Sequence, residues 1–160
     1  MAALRSLARA DLKAILAIQQ ASPEAAQWSA EAWESFVRST ESAADEDLRA
    51  GYCAWVAERD GKVAGFLAGL FSGVEMEILN LAVSPGERRA GVASRLLEGA
   101  LAAARSSGGE RAFLEVRASN AEAIAFYERN GFLPAGRRKD YYATPVEDAL
   151  VFAHALAADD

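Results

Sequence analysis

Cysteine and histidine are almost missing from this chain, which has one of each in 160 residues, Cys53 and His154. A lone cysteine forms no internal disulfide, and one histidine beside it builds no metal cluster. No apolar run approaches the ~20 residues needed to cross a bilayer. The first residues, Met1-Ala2-Ala3-Leu4-Arg5, lead into a short alternating segment rather than a signal-peptide apolar block. Cytoplasm is therefore the expected compartment, with no membrane partner. A broad positive field is missing too: the formal net charge is −6, which disfavours bulk binding of nucleic acid. There is no low-complexity linker, internal repeat or long charge block, so residues 1–160 read as a single domain. Two basic clusters, Arg88-Arg89 and Arg137-Arg138-Lys139, stand out in this acidic chain. They fit either a compact anion or plain surface decoration.

The remaining pattern is a mixture of strands and helices. Leu4–Leu7 reads as a strand, and a helix is expected from Asp11 with Leu12, Ile15, Leu16 and Ile18 at helical spacing, ending at Ser22-Pro23. Ser29 is a good N-cap for a second helix carrying Trp33, Phe36 and Val37. Glu41–Ala50 reads as a polar connection. Strands follow at Tyr52–Glu58, Val63–Phe71 and Glu77–Val83, the first two joined by the hairpin pair Asp60-Gly61. Then come a helix over Val92–Arg105, a strand over Ala112–Val116, and a helix over Ala121–Arg129 capped by Asn120 and stopped by Asn130-Gly131. Strands near Gly136–Tyr142 and Ala149–Leu156 close the chain. The order βααβββαβαββ is an α+β pattern.

The most informative stretch runs from Leu79 to Ala93: strand, short loop, helix start. A helix N-terminus offers unpaired N–H groups and the positive end of the macrodipole, which suits a phosphate. Gly91 and Ala93 are small, so a diphosphate can approach the backbone, and Arg88 and Arg89 add charge. Neither a Walker loop nor GxGxxG is present, so nucleoside triphosphates and dinucleotides are not favoured. A bare helix start flanked by solvated arginines fits the same residues.

Arg88-x-x-Gly91-x-Ala93 after Leu81-Ala82-Val83 resembles the acetyl-coenzyme A pyrophosphate motif of the GNAT acetyltransferase superfamily. The block from Leu114 to Phe132, with Glu115-Val116-Arg117-Ala118-Ser119-Asn120 and Tyr127-x-x-x-Gly131-Phe132, resembles that superfamily's later strand–helix unit. With Arg138-Lys139-Asp140-Tyr141-Tyr142 and Glu147-Asp148-Ala149, it is similar more narrowly to the bacterial ribosomal-protein-alanine N-acetyltransferases. The resemblance implies a mixed, mostly antiparallel sheet with helices on both faces. Its central parallel strands, Glu77–Val83 and Ala112–Val116, would splay to admit acetyl-CoA as cosubstrate. It implies that Leu81, Ala82 and Val83 hold the pantetheine and acetyl portions, that Arg89, Ala90, Gly91, Val92, Ala93 and Ser94 hold the pyrophosphate with Arg88 at its edge, and that Asn120 contacts the pantetheine arm. The implied acceptor is a protein N-terminus, with the N-terminal alanine of a small-subunit ribosomal protein as its narrowest form. Ala90 and Ala93 stand at motif positions where relatives differ, and the Tyr142–Asp148 hairpin is short, so acceptor identity is the less constrained half.

Acetyl transfer needs a neutral amine, a stabilised oxyanion and a protonated leaving thiolate. An α-amine, with a pKa of about 8 against about 10.4 for lysine, asks less of the base. Glu115 lies in the apolar run Phe113-Leu114-Glu115-Val116, where a carboxylate needs a purpose or a partner. A strand glutamate facing solvent or pairing with Arg117 is the bland explanation; by resemblance Glu115 is the general base. Tyr127 is either a core aromatic or, by resemblance, the general acid. Glu77 is secondary, as an outward strand residue or a helper in proton removal. Tyr141 and Tyr142 line the peptide groove or form a cross-strand patch. A backbone N–H near Val83 is the expected oxyanion donor. Trp28, Trp33 and Trp55 are assigned to core or groove walls, Cys53 to structure and His154 to packing, and no metal is expected. A GNAT enzyme for lysine, a polyamine or another small amine, and a non-catalytic acyl-CoA-binding module, remain the alternatives.

Overall fold

Period-two apolar alternation in the strands and apolar stripes on the helices assemble a single sheet covered on both sides. The computed structural model describes residues 2–41 and 48–156. Its elements are β1 (Ala3–Ser6), α1 (Leu12–Gln20), α2 (Ala30–Glu41), β2 (Gly51–Arg59), β3 (Lys62–Phe71), β4 (Glu75–Val83), α3 (Val92–Ser106), β5 (Arg111–Arg117), α4 (Ala121–Arg129), β6 (Leu133–Ala143) and β7 (Val146–Ala155). The order is the one read from the sequence, although most of the polar connection expected at Glu41–Ala50 lies outside the described residues.

Local signals explain several boundaries. Ser29 Oγ accepts the Ala32 N–H at 3.1 Å, and Asn120 Oδ1 accepts that of Ala123 at 3.1 Å, so both expected N-caps form. Asp11 stands at the N-cap position of α1, where the helix start was expected. A short 3-10 turn, Arg9–Asp11, precedes α1, and the Asp11 side chain makes no cap bond to that helix. Its carboxylate instead accepts two 2.8 Å bonds from the Arg5 guanidinium and one from the Ala8 N–H. A bidentate, charge-assisted pair outcompetes a single cap bond, and Arg5 holds the Asp11 carboxyl below the usual carboxylate range.

The seven strands lie in the order β1-β2-β3-β4-β5-β7-β6, all neighbours antiparallel except β4 and β5. On one face α1 and α2 bury Ile15, Trp33 and Phe36 against Val56 and Phe66. On the other, α3 and α4 bury Leu96, Leu97 and Tyr127 against Met76, Leu114 and Phe152.

The site is positioned by one irregularity. β4 pairs with β5 from Glu75↔Arg111 to Ile78↔Leu114 and no further, although both strands continue. At that same point the pairing with β3 jumps from Gly69↔Ile78 to Ala68↔Asn80, leaving Leu79 as an extra residue. Such a bulge bends the strand that carries it, and here it coincides with the parting of β4 from β5. Gly69, opposite the bulge, leaves no room for a side chain: a Cβ there would lie 2.9 Å from Glu77 O and 3.0 Å from Met76 Sδ. Gly69→Ala should therefore lower unfolding stability by about 1–3 kcal/mol in urea titration; an unchanged midpoint would show that the contact is not binding.

Candidate active site

Where β4 and β5 part, a cleft of about 1190 Å³ opens. The backbone of β4 supplies its floor. Ser84 N–H donates to Ala64 O at 2.8 Å, which makes Ala64–Ser84 a hydrogen-bonded pair. Antiparallel alternation then turns the N–H and C=O of Ala82 and Asn80 toward β3, and those of Leu81 and Val83 toward the opening. Leu81 and the N–H of Val83 thus offer strand-edge groups to an extended ligand, while the Val83 carbonyl accepts from Arg88 Nε at 3.4 Å. The backbone of Ala82 turns toward β3, and Ala82 lines the cleft beside Leu81 and Val83.

One end of the cleft is the N-terminus of α3. Arg89 and Gly91 both take left-handed conformations, φ 65° and φ 80°, folding the loop so that the helix start faces the opening. The first intrahelical donor is the Arg95 N–H, bonded to Gly91 O at 3.0 Å. The N–H groups of Val92, Ala93 and Ser94 precede it, the arrangement that binds anions at helix starts. Arg88 turns from the loop toward the α1–α2 connection, its guanidinium donating to Ser22 Oγ at 2.9 Å and Ala21 O at 3.3 Å. All but one of the residues singled out for cofactor and catalysis line this cleft. The exception, Ala90, faces a smaller neighbouring cavity with Arg59 and Arg95. Asn120 lines the cleft while its Oδ1 caps α4.

Glu115 and Tyr127 approach the parting from β5 and α4. Tyr127 is buried, and burial pushes its phenol well above the ordinary value, so it stays protonated at neutral pH. The Glu115 carboxylate is 12% exposed, and its partner is Arg138 from β6 at 3.0 Å rather than the neighbouring Arg117. Arg117 pairs with Glu147 and stacks on Tyr142, 4.2 Å from the ring centre. Glu77 sits near Glu115; burial first, and that like charge second, raise its pKa. Tyr141 is likewise raised, first by hydrogen bonding with Glu115. The Arg137-Arg138-Lys139 cluster is therefore not a free anion site, since Arg137 pairs with Asp148 and Arg138 with Glu115.

The side chains assigned to structure are placed so. Cys53 is buried against Met76, 3.9 Å between sulfurs, and its thiol is pushed up to about 12. His154 packs on Phe132, with ring centres 5.3 Å apart. Trp33 stacks with Trp28, Phe36 and Phe66. A polar network went unread: Trp33 Nε1 donates to Gln19 Oε1 at 3.0 Å, Gln19 Nε2 to Trp28 O at 2.7 Å, and Asn80 Nδ2 to Ala26 O at 3.2 Å. It holds the α1–α2 connection over β4. Asn80, a polar residue inside Ile78-Leu79-Asn80-Leu81, was the signal available.

Residues 15–132 match the sequence model of the Acetyltransferase (GNAT) family. The chain belongs to that family. A GNAT relative, the [ribosomal protein bS18]-alanine N-acetyltransferase of Escherichia coli, is 40% identical over 97 residues, which cover 59% of this chain and 66% of that protein. The crystal structure of the ribosomal-protein-S18-alanine N-acetyltransferase from Escherichia coli superposes with a TM-score of 0.81 at 31% identity, covering 100% of this chain and 97% of that one. Ard1 from Thermoplasma volcanium gives a TM-score of 0.83 at 25% identity, covering 98% and 99%. The GNAT architecture expected from the sequence, a mostly antiparallel sheet with one splayed parallel pair, is the observed one. Among the described residues no helix is long and apolar enough to cross a membrane.

The left-handed Gly91 gives a direct test. Gly91→Ala should cost about 1–2 kcal/mol of stability and weaken coenzyme A binding in calorimetry. Unchanged affinity would separate the loop from the anion site.

Proposed function

We propose that this chain transfers an acetyl group from acetyl-CoA to the α-amine of a protein N-terminus, with Glu115 as general base and Tyr127 as general acid. The observation that carries the reading is the convergence at one parting of strands. The free edge of Leu81 and Val83, the bare helix start at Val92–Ser94, a nearly buried carboxylate and a buried protonated phenol all meet there. The fit to acetyl-CoA rests on the same features: an extended slot for the pantetheine arm, ending at a helix start for the pyrophosphate. Bound there, the cosubstrate supplies an activated acetyl thioester.

The protein's share is orientation and two proton movements. Glu115 accepts a proton from the acceptor amine, and Tyr127 gives one to the departing sulfur. The N–H of Val83, turned toward the opening, is the nearest strand-edge donor for the carbonyl oxygen. An α-amine is already neutral in roughly a tenth of molecules at pH 7, which suits a single carboxylate base. The alanine N-terminus of a ribosomal protein is the acceptor favoured here, supported by the likeness to the Escherichia coli ribosomal-protein-alanine N-acetyltransferase. Tyr142 and Thr144 line the cleft where a peptide would enter.

The test is thiol release from acetyl-CoA with peptides beginning Ala-Arg, alongside lysine side chains, polyamines and small amines. Release should be fastest with the α-amine peptide. Glu115→Gln and Tyr127→Phe should each lower kcat by about 10²–10⁴-fold while acetyl-CoA KM stays within twofold. Coenzyme A binding without thiol release from any amine would overturn the reading in favour of a binding module, and full activity in both variants would overturn the residue roles.

A further inference from the structure

The two oxygens of Glu115 sit in different surroundings. Oε1 meets Arg138 Nε at 3.0 Å, whereas Oε2 is buried without a hydrogen-bond partner. Burying a carboxylate oxygen unpaired is costly, so its persistence marks an atom reserved for something. Arg138 belongs to β6, the edge strand, and reaches Glu115 on β5 across the intervening β7. Along that path β7 presents Ala149 opposite Arg138 and Val151 opposite Glu115, neither of which competes for charge. On β5, Arg117 is engaged with Glu147 and Tyr142. From β4 comes Glu77, and from β6 come Tyr141, hydrogen-bonded with Glu115, and Tyr142, which feels the Glu115 charge. The cluster therefore holds two carboxylates and one guanidinium able to balance them.

We propose that Arg138 is a positioning residue that fixes Oε1 of Glu115 and leaves Oε2 as the atom that takes the acceptor amine's proton. The proposal rests on the acetyl-transfer reading and deepens it. In the step it assigns, the amine N–H bond breaks and Oε2–H forms. The nitrogen lone pair makes the new N–C bond to the acetyl carbon, the C–S bond breaks, and the sulfur keeps its electron pair and takes the Tyr127 proton. Arg138 neither touches the substrate nor moves a proton. It orients the base, and its positive charge opposes the rise that burial and Glu115 bring to the neighbouring Glu77 carboxyl.

The experiment compares wild type with Arg138→Gln and Arg138→Lys. In Arg138→Gln the acid limb of kcat/KM for the peptide should move upward by roughly one pH unit, since Glu77 loses the positive charge that opposes its protonation. At neutral pH kcat should fall about tenfold, with acetyl-CoA KM unchanged. Arg138→Lys should restore most of both. Adding Arg138→Gln to Glu115→Gln should cost little more than Glu115→Gln alone. An acid limb that stays in place, or a full further loss in the double variant, would overturn the proposal. A readout free of turnover is carboxyl-carbon NMR titration of Glu77, which faces both Glu115 and Arg138. It should move to higher pH in Arg138→Gln, and an unmoved titration would refute the Arg138–Glu115 link. Absence of thiol release by wild type would overturn the acetyl-transfer reading and the proton-accepting role together, a result distinct from a failed titration.

Discussion

β4 is held on both sides up to Ile78 and on one side only beyond it. The extra residue Leu79 breaks its register with β3 at the position where its pairing with β5 ends. Every other feature of the site follows from that change. The freed edge exposes the backbone of Leu81 and Val83, the gap admits Tyr127 from α4, and β5 carries Glu115 to its rim. Unpaired strand edges invite aggregation, and proteins keep them covered or short. This one lies inside the molecule, roofed by the α1–α2 connection and closed at one end by the start of α3.

Two ionic arrangements keep the rim in place. Arg88 ties the loop before α3 to Ala21 and Ser22, so the α3 end and the wall of the cleft are joined by one side chain. Arg138 does the corresponding work on the other side, linking the edge strand β6 to Glu115. The Gln19–Trp33 and Asn80–Ala26 bonds fix the roof from beneath. Polar groups with defined partners hold the walls, while the apolar clusters above and below the sheet supply the bulk stability.

The parts legible in the sequence were those set by neighbours in the chain. Alternation placed β4 and β5, the caps at Ser29 and Asn120 placed two helix starts, and the loop through Gly91 placed the start of α3. The parts that were hidden depend on residues brought together only by folding. The bulge at Leu79 needs Gly69 across the strand pair, and no local pattern announces it. Arg138 stood out as a member of a basic run, but its partner lies 23 positions earlier and two strands away, so the run was open to reading as an anion site. Asp11 marked the start of α1, whereas the pairing of its carboxylate with Arg5 on β1 forms only in the fold.

Amide hydrogen exchange with and without coenzyme A tests the central claim, that the parting of β4 and β5 is the cosubstrate's slot. The account predicts added protection at Leu81, Val83 and Val92–Ser94, with Ala82, already bonded into the sheet, little changed. Protection confined to the edge strand β6, or none along the free edge of β4, would contradict it.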